Sequence, residues 1–194
     1  KSMGVMSLET AHRLLESGIQ AAGPHGSLQI TFQGGEPTLA GLDFFQSFIA
    51  LERELCPSTI QISHSIQTNG MALDGDWVRF FQENRFLVGL SLDGSWDRAT
   101  RSLALLDKAG VETNLLCVIT GPLARSAQKV YHSLNKLGSH ALQFIPCLDP
   151  LEGERGCMPW SLTPQRYGQF LRDLFDCWYL DLQRGHYVSI RLFD

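Results

Sequence analysis

The sequence has 194 residues, 44% of them hydrophobic, and a formal net charge of −4. That suits one globular domain with a sizeable core, spanning residues 1–194. No basic stripe is present and no apolar run is long enough to span a bilayer, which excludes nucleic-acid and membrane partners. Lys1-Ser2-Met3-Gly4 leads into no signal-peptide core.

In chain order, a helix is predicted over Leu8 to Ala22, with Ser7 as N-cap. A strand follows at Ser27 to Gln33, then a helix at Leu42 to Leu55. Ile60 to Thr68 reads as a strand closed by Asn69-Gly70. Asp76 to Glu83 is a short helix and Phe86 to Asp93 a strand. A helix at Asp97 to Ala109 and a strand at Val111 to Thr120 come next. Gln128 to Leu137 is helical and Ala141 to Pro146 a strand. An irregular stretch reaches Leu162. Thr163 caps a long helix that has Pro164 in its first turn. Tyr187 to Phe193 reads as a last strand. Strands separated by helices imply parallel βαβ units. The opening helix and the uncapped last run lead us to expect a first strand and further chain outside these residues.

The strands have two unlike faces. Leu28, Ile30 and Phe32 share one, and Gln29, Thr31 and Gln33 the other. Ile60, Ile62 and Ile66 oppose Gln61, Ser63, Ser65, Gln67 and Asn69. Ser91, Asp93, Asn114 and Gln143 are expected to continue the polar face. Parallel strands covered on both sides read as continuous apolar runs. A polar inner face therefore predicts an open barrel or curved sheet with a ligand on its concave side, the alternative being one solvated face.

The strand ends gather the candidate site. Gln33-Gly34-Gly35-Glu36-Pro37 joins two glycines, which free the backbone, to a carboxylate suited to a small cationic ligand such as an amino group. Gln67 to Gly70, Ser91 to Gly94, Thr120-Gly121 and Cys147 to Asp149 lie at later strand ends. On a parallel sheet all five fall on one rim. Singly, each also has a structural reading as a turn or cap.

No nucleophile–base pair, dinucleotide fingerprint or phosphate loop is present, and no residue is assigned as catalytic or as a metal ligand. His64 reads as a satisfied core histidine. His12, His25, His132, His140 and His186 read as surface residues. The five cysteines, Cys56, Cys117, Cys147, Cys157 and Cys177, are scattered without a Cys-x-x-Cys pair. That argues against a disulfide framework or a complete zinc or iron–sulfur site, and for a reducing cytoplasm. Each cysteine is expected to be a small buried apolar residue.

Ile30 to Leu39, with its Gly-Gly-Glu-Pro core, resembles the corresponding segment of radical S-adenosylmethionine enzymes. Gln67 to Gly70 and Ser91 to Gly94 match that superfamily's next two strand ends. Leu142 to Leu151, Leu174 to Tyr179 and Val188 to Arg191 resemble the anaerobic sulfatase-maturating enzymes. The resemblance covers essentially the whole chain. It implies an α/β partial (β/α)6 barrel, open, without its first strand or the C-terminal auxiliary-cluster domain. It implies S-adenosylmethionine and 4Fe–4S clusters as cofactors, with the cluster-binding cysteines upstream of Lys1 and the base downstream of Asp194. One family segment, including an Arg that contacts the cofactor, is lacking between Gly94 and Ser95.

Carried over, Gly34, Gly35 and Glu36 hold the methionine amino end, Ser91 a polar part, and Leu148 the adenine side through its backbone. Gln33 faces the boundary between cofactor and substrate. The implied reaction cleaves S-adenosylmethionine with one electron. The resulting 5′-deoxyadenosyl radical takes hydrogen from Cβ of a sulfatase Cys or Ser, which becomes formylglycine. Flavodoxin or ferredoxin is the implied donor of electrons. The alternatives are a radical enzyme that makes thioether or related crosslinks in peptides, and a non-catalytic protein that binds or regulates sulfatase. An ordinary barrel lyase or aldolase needs a lysine or metal ligands at the strand ends, and the sequence offers neither there.

Overall fold

The computed structural model describes residues 4–92, 96–139, 141–152 and 154–194, with side chains left out at 96–99. Its helices are α1 (Leu8–Ala22), α2 (Leu42–Leu55), α3 (Gly75–Glu83), α4 (Trp96–Lys108), α5 (Ala127–Asn135) and α6 (Pro164–Gln183). Its strands are β1 (Ser27–Phe32), β2 (Gln61–Thr68), β3 (Phe86–Leu92), β4 (Thr113–Ile119), β5 (Ala141–Pro146) and β6 (Ser189–Ile190). The strands follow one another in chain order in one sheet. The pairings β1–β2, β4–β5 and β5–β6 are all parallel. Short 3-10 turns at Pro37–Ala40 and Leu123–Arg125 were not expected from sequence.

The helix starts follow capping chemistry. Ser7 Oγ accepts from Thr10 N–H at 3.2 Å, and Thr163 Oγ1 from Arg166 N–H at 3.2 Å, both as expected. The helix expected from Asp76 begins at Gly75 instead, because Asp74 is its cap. Asp74 Oδ1 accepts from Asp76 N–H at 3.0 Å and Trp77 N–H at 3.1 Å. Two first-turn donors are satisfied by one oxygen. Asp74→Ala is expected to cost about 1–2 kcal/mol in urea unfolding, and an unchanged midpoint would contradict that role. The last strand is shorter than expected. After Ile190 the chain turns, with Phe193 N–H on Ile190 O at 2.7 Å, and Asp194 accepts from Tyr187 and Ser189.

The chain divides into two compact units. The first holds residues 4–88 and 105–112, the second residues 89–104 and 113–194. In the first, the register sets Leu28, Ile30 and Phe32 beside Ile62, His64 and Ile66, and Gln29 and Thr31 beside Ser63 and Ser65. The apolar set packs into an aromatic core. Phe32 meets the rings of Phe45, Phe48 and Phe86, with centroids 4.9, 5.1 and 6.1 Å away. Trp77, Phe80 and Phe81 of α3 complete it. Such ring pairs add about 0.5–1.5 kcal/mol each beyond the area they bury.

His64 lies in this core, as the sequence indicated. Its ring stacks on Phe86 at 4.9 Å, and its Nε2 sits 2.6 Å from Glu52 Oε2. On the opposite face, Thr31 Oγ1 and Ser65 Oγ share a 2.8 Å hydrogen bond. The expected polar face is therefore present on β1 and β2.

The second unit corrects that expectation in part. The β4–β5 register sets Leu116 beside Gln143 and Val118 beside Ile145, so Asn114 and Gln143 share their face with apolar neighbours. Leu116 is buried and Val118 exposed. The reading from sequence took one polar residue per strand; the full period-2 set is mixed. The other face is mainly apolar, with Leu115, Cys117, Ile119, Leu142 and Phe144 buried.

Candidate functional site

In the first unit, β1 stops at Phe32 and Gln33 is exposed. Gly34 and Gly35 follow with φ of 101° and 57°. A Cβ at either would meet no atom within 4 Å. Backbone conformation, not crowding, is what calls for glycine here; a side chain in such a region costs on the order of 1–3 kcal/mol. The turn thus exposes bare backbone just past the strand.

Glu36 caps the 3-10 turn that starts with Pro37. Its Oε1 accepts from Thr38 N–H at 3.2 Å, Thr38 Oγ1 at 2.7 Å and Thr68 Oγ1 at 2.7 Å. Its Oε2 accepts from Asn69 N–H at 2.8 Å. One carboxylate therefore ties the exit of β1 to the exit of β2. Burial alone would raise its pKa. The hydrogen bonds from Asn69, Thr38 and Thr68 outweigh that and hold it below the usual carboxylate range. Oε2, with one partner, keeps a lone pair for a cationic group. The sequence pointed to Glu36 as a ligand group and missed this tie. The signal available was Thr38 two residues on and Thr68-Asn69 at the neighbouring strand end.

Asn69-Gly70 is a built turn as well as a rim segment. Asn69 Oδ1 accepts from Met71 N–H at 2.9 Å, and Thr68 Oγ1 from Gly70 N–H at 3.1 Å.

In the second unit, Ser91 sits half-buried near the end of β3. Asp93, Gly94 and Ser95, and with them the point where the family has a longer segment, lie outside the described residues. Cys147 N–H donates to Ile119 O at 2.9 Å, carrying the β4–β5 ladder one residue past Pro146. Leu148 follows with its side chain 81% exposed. Asp149 then accepts from Gly156 N–H at 2.7 Å and from Ser161 Oγ. The Ser161 bond chiefly, then Gly156 and Arg155, hold the Asp149 carboxyl below the usual range against a smaller opposing effect of burial. No local pattern signals a partner twelve residues away.

The cysteines depart from expectation. Only Cys117 is buried, and burial pushes its thiol up to about 11. Cys56, Cys147 and Cys177 are half-buried and Cys157 is exposed; all five are free thiols. Cys56 ends α2 and Cys147 follows β5, Cys157 lies in the irregular stretch, and Cys177 stands within α6 at a half-covered position. Among the described residues no three His, Cys, Asp or Glu side chains converge as metal ligands. His25, His132 and His186 are exposed and His12 is half-exposed beside Glu16 at 3.3 Å. His140 lies outside the described residues.

Parallel strands in chain order, with a Gly-Gly-Glu-Pro turn past β1, define an α/β fold with a ligand-sized turn of bare backbone at a strand end. No protein-family model matches the chain. The cysteine-type anaerobic sulfatase-maturating enzyme of Clostridium perfringens is 41% identical over 210 aligned residues, covering all of this chain and 56% of the relative. The serine-type enzyme of Klebsiella aerogenes is 34% identical, covering 89% of this chain and 46% of the relative. A solved structure described as native anSMEcpe with bound AdoMet and Kp18Cys peptide superposes with a TM-score of 0.94 at 40% identity, covering all of this chain and 57% of that one. The chain is thus a homologue of the anaerobic sulfatase-maturating enzymes. It spans about half the length of these relatives. The aligned span of 210 exceeds the chain's 194 residues, so the relative carries internal residues that this chain lacks.

Proposed function

We propose that the full-length protein is a radical S-adenosylmethionine oxidoreductase that converts a Cys or Ser of a sulfatase polypeptide to formylglycine. The observation that carries this is homology over the whole chain to cysteine-type maturating enzymes and over 89% of it to a serine-type one, joined to an intact Gly34-Gly35-Glu36 turn. The higher identity to the cysteine-type relative favours a cysteine target. In the net reaction the side chain loses two electrons and two protons, one hydrogen from Cβ and one proton from the thiol or hydroxyl, with S-adenosylmethionine as the oxidant. For cysteine, the sulfur is then replaced by the oxygen of water.

S-adenosylmethionine, when bound beside reduced iron–sulfur, supplies the one-electron chemistry that opens an unactivated C–H bond. This chain's own residues bind and orient. The spare lone pair of Glu36 Oε2 suits an ammonium group, and the bare backbone of Gly34 and Gly35 permits close approach. Leu148 N–H suits an adenine ring nitrogen and Ser91 a ribose or carboxylate oxygen. Gln33, exposed just past β1, is assigned to the boundary between cofactor and peptide. The Thr31–Ser65 face suits a polar ligand.

The cluster ligands and a C-terminal auxiliary-cluster domain belong, in this reading, to segments outside the 194 residues. A flavodoxin- or ferredoxin-type donor supplies electrons. Among the described residues no helix is long and apolar enough to cross a membrane. The free thiols support a reducing cytoplasm.

The test is anaerobic incubation of the reconstituted full-length protein with S-adenosylmethionine, a reductant and sulfatase-derived peptides carrying Cys or Ser. Formylglycine in the peptide, seen by mass spectrometry, is expected. A thioether crosslink, or no modification of a peptide that a relative modifies in parallel, would reject the assignment.

A further inference from the structure

Leu148 is held in an unusual way. Cys147 before it is tied to β4 by its N–H on Ile119 O at 2.9 Å. Asp149 after it is tied at both carboxylate oxygens, by Gly156 N–H at 2.7 Å and by Ser161 Oγ. Between these two anchors, Leu148 N–H has no hydrogen-bond partner among the described residues, and the side chain is 81% exposed. Fixed flanks around an unspent donor and an open apolar side chain describe a contact presented to a ligand.

The far end of the segment is fixed too. Gly121 N–H donates to Trp160 O at 3.0 Å just past β4. A Cβ at Gly121 would lie 2.2 Å from Ser161 O, so only glycine lets the returning chain pack there. Ser161 Oγ in turn accepts from Met158 N–H at 3.1 Å while donating to Asp149. The contact therefore closes a loop that leaves β5 and returns to the exit of β4.

We propose that Asp149 is a positioning residue for S-adenosylmethionine: through Ser161 and Gly156 it latches this loop so that Leu148 N–H is held toward the adenine. This rests on the reading that Leu148 meets the adenine. Asp149 itself touches no cofactor in this scheme. Its carboxylate takes both donors without a proton, whereas an amide offers an acceptor to only one of them while keeping the shape.

The test compares Asp149→Ala, Asp149→Asn and Ser161→Ala with wild type in the full-length, iron–sulfur-reconstituted protein. Thr163→Ala, a helix-cap variant in the same unit, serves as the structural control. Binding of S-adenosylmethionine is measured by calorimetry, and kcat and KM by 5′-deoxyadenosine formation. Asp149→Ala is expected to raise Kd and KM for S-adenosylmethionine about tenfold, with kcat within about twofold, as loss of a charge-assisted bond that orders a contact implies. Asp149→Asn and Ser161→Ala should fall between. Thr163→Ala should lower the unfolding midpoint and leave KM unchanged. Wild-type affinity in Asp149→Ala overturns the latch alone. So does a tenfold change in Thr163→Ala, since it would make KM a report of stability. Wild type that binds no S-adenosylmethionine overturns the underlying reading as well.

Discussion

Glu36→Ala in the full-length protein is expected to lower kcat/KM for S-adenosylmethionine about a hundredfold or more, the loss implied when an ionic contact to a ligand goes together with the turn that presents it. Two effects combine. The carboxylate that suits the ligand's ammonium group disappears. Thr68 Oγ1, Asn69 N–H and Thr38 N–H also lose their acceptor, and Thr68 is buried. The second effect should appear as about 2–3 kcal/mol of lost stability by urea unfolding.

Glu36→Gln separates the two. Its Oε1 can still accept, but Nε2 cannot take the Asn69 N–H. Binding should then fall nearly as far as in the alanine variant, with a smaller loss of stability. Acid gives an independent reading. Glu36 has a depressed pKa when folded, so its contribution is complete above the usual carboxylate range and is lost as pH falls through the folded value. The side chain is partly exposed, so the pH effect is modest. Wild-type stability and affinity in Glu36→Ala would remove the turn from the site.

The second large effect concerns the first unit's core and leaves the ligand groups alone. His64 and Glu52 side chains are 8% and 10% exposed, and their 2.6 Å contact joins β2 to α2. Removing one partner strands a polar group in a low-dielectric interior. His64→Ala or Glu52→Ala is expected to cost about 3–5 kcal/mol. His64→Ala also removes the ring stacked on Phe86. The double variant with leucine at both positions should cost much less than the two single losses added, because no unpaired group remains. Urea unfolding of the four proteins supplies the cycle. Additive losses would show that the two side chains act independently.

Local chemistry made the helices legible. Ser7 and Thr163 cap where the sequence placed them, and α2 and β5 keep their predicted bounds. The two faces of β1 and β2 were legible because one strand alternates cleanly and its neighbour repeats the pattern. The mixed face of β4 and β5 was not, since Asn114 and Gln143 stood for strands whose other inward residues are apolar.

At the site, the two left-handed glycines were readable as a Gly-Gly pair. The double role of Glu36 was hidden because its partners Thr68 and Asn69 lie more than thirty residues along the chain. Asp149 was named only as part of a rim segment. Its latch needs Ser161, Gly156 and the return of the chain to Gly121, none of which periodicity reports. The cysteines were misjudged because composition speaks for burial on average, and four of these five stand at a helix end, in loops or at a half-covered helix position.

Deuterium placed at Cβ of the target cysteine in a sulfatase peptide offers the most direct measurement. Incubated anaerobically with the reconstituted full-length protein, S-adenosylmethionine and reductant, the peptide should pass its label into 5′-deoxyadenosine as formylglycine appears. Formylglycine with unlabelled 5′-deoxyadenosine, or 5′-deoxyadenosine labelled without any aldehyde formed, would contradict the proposed reaction.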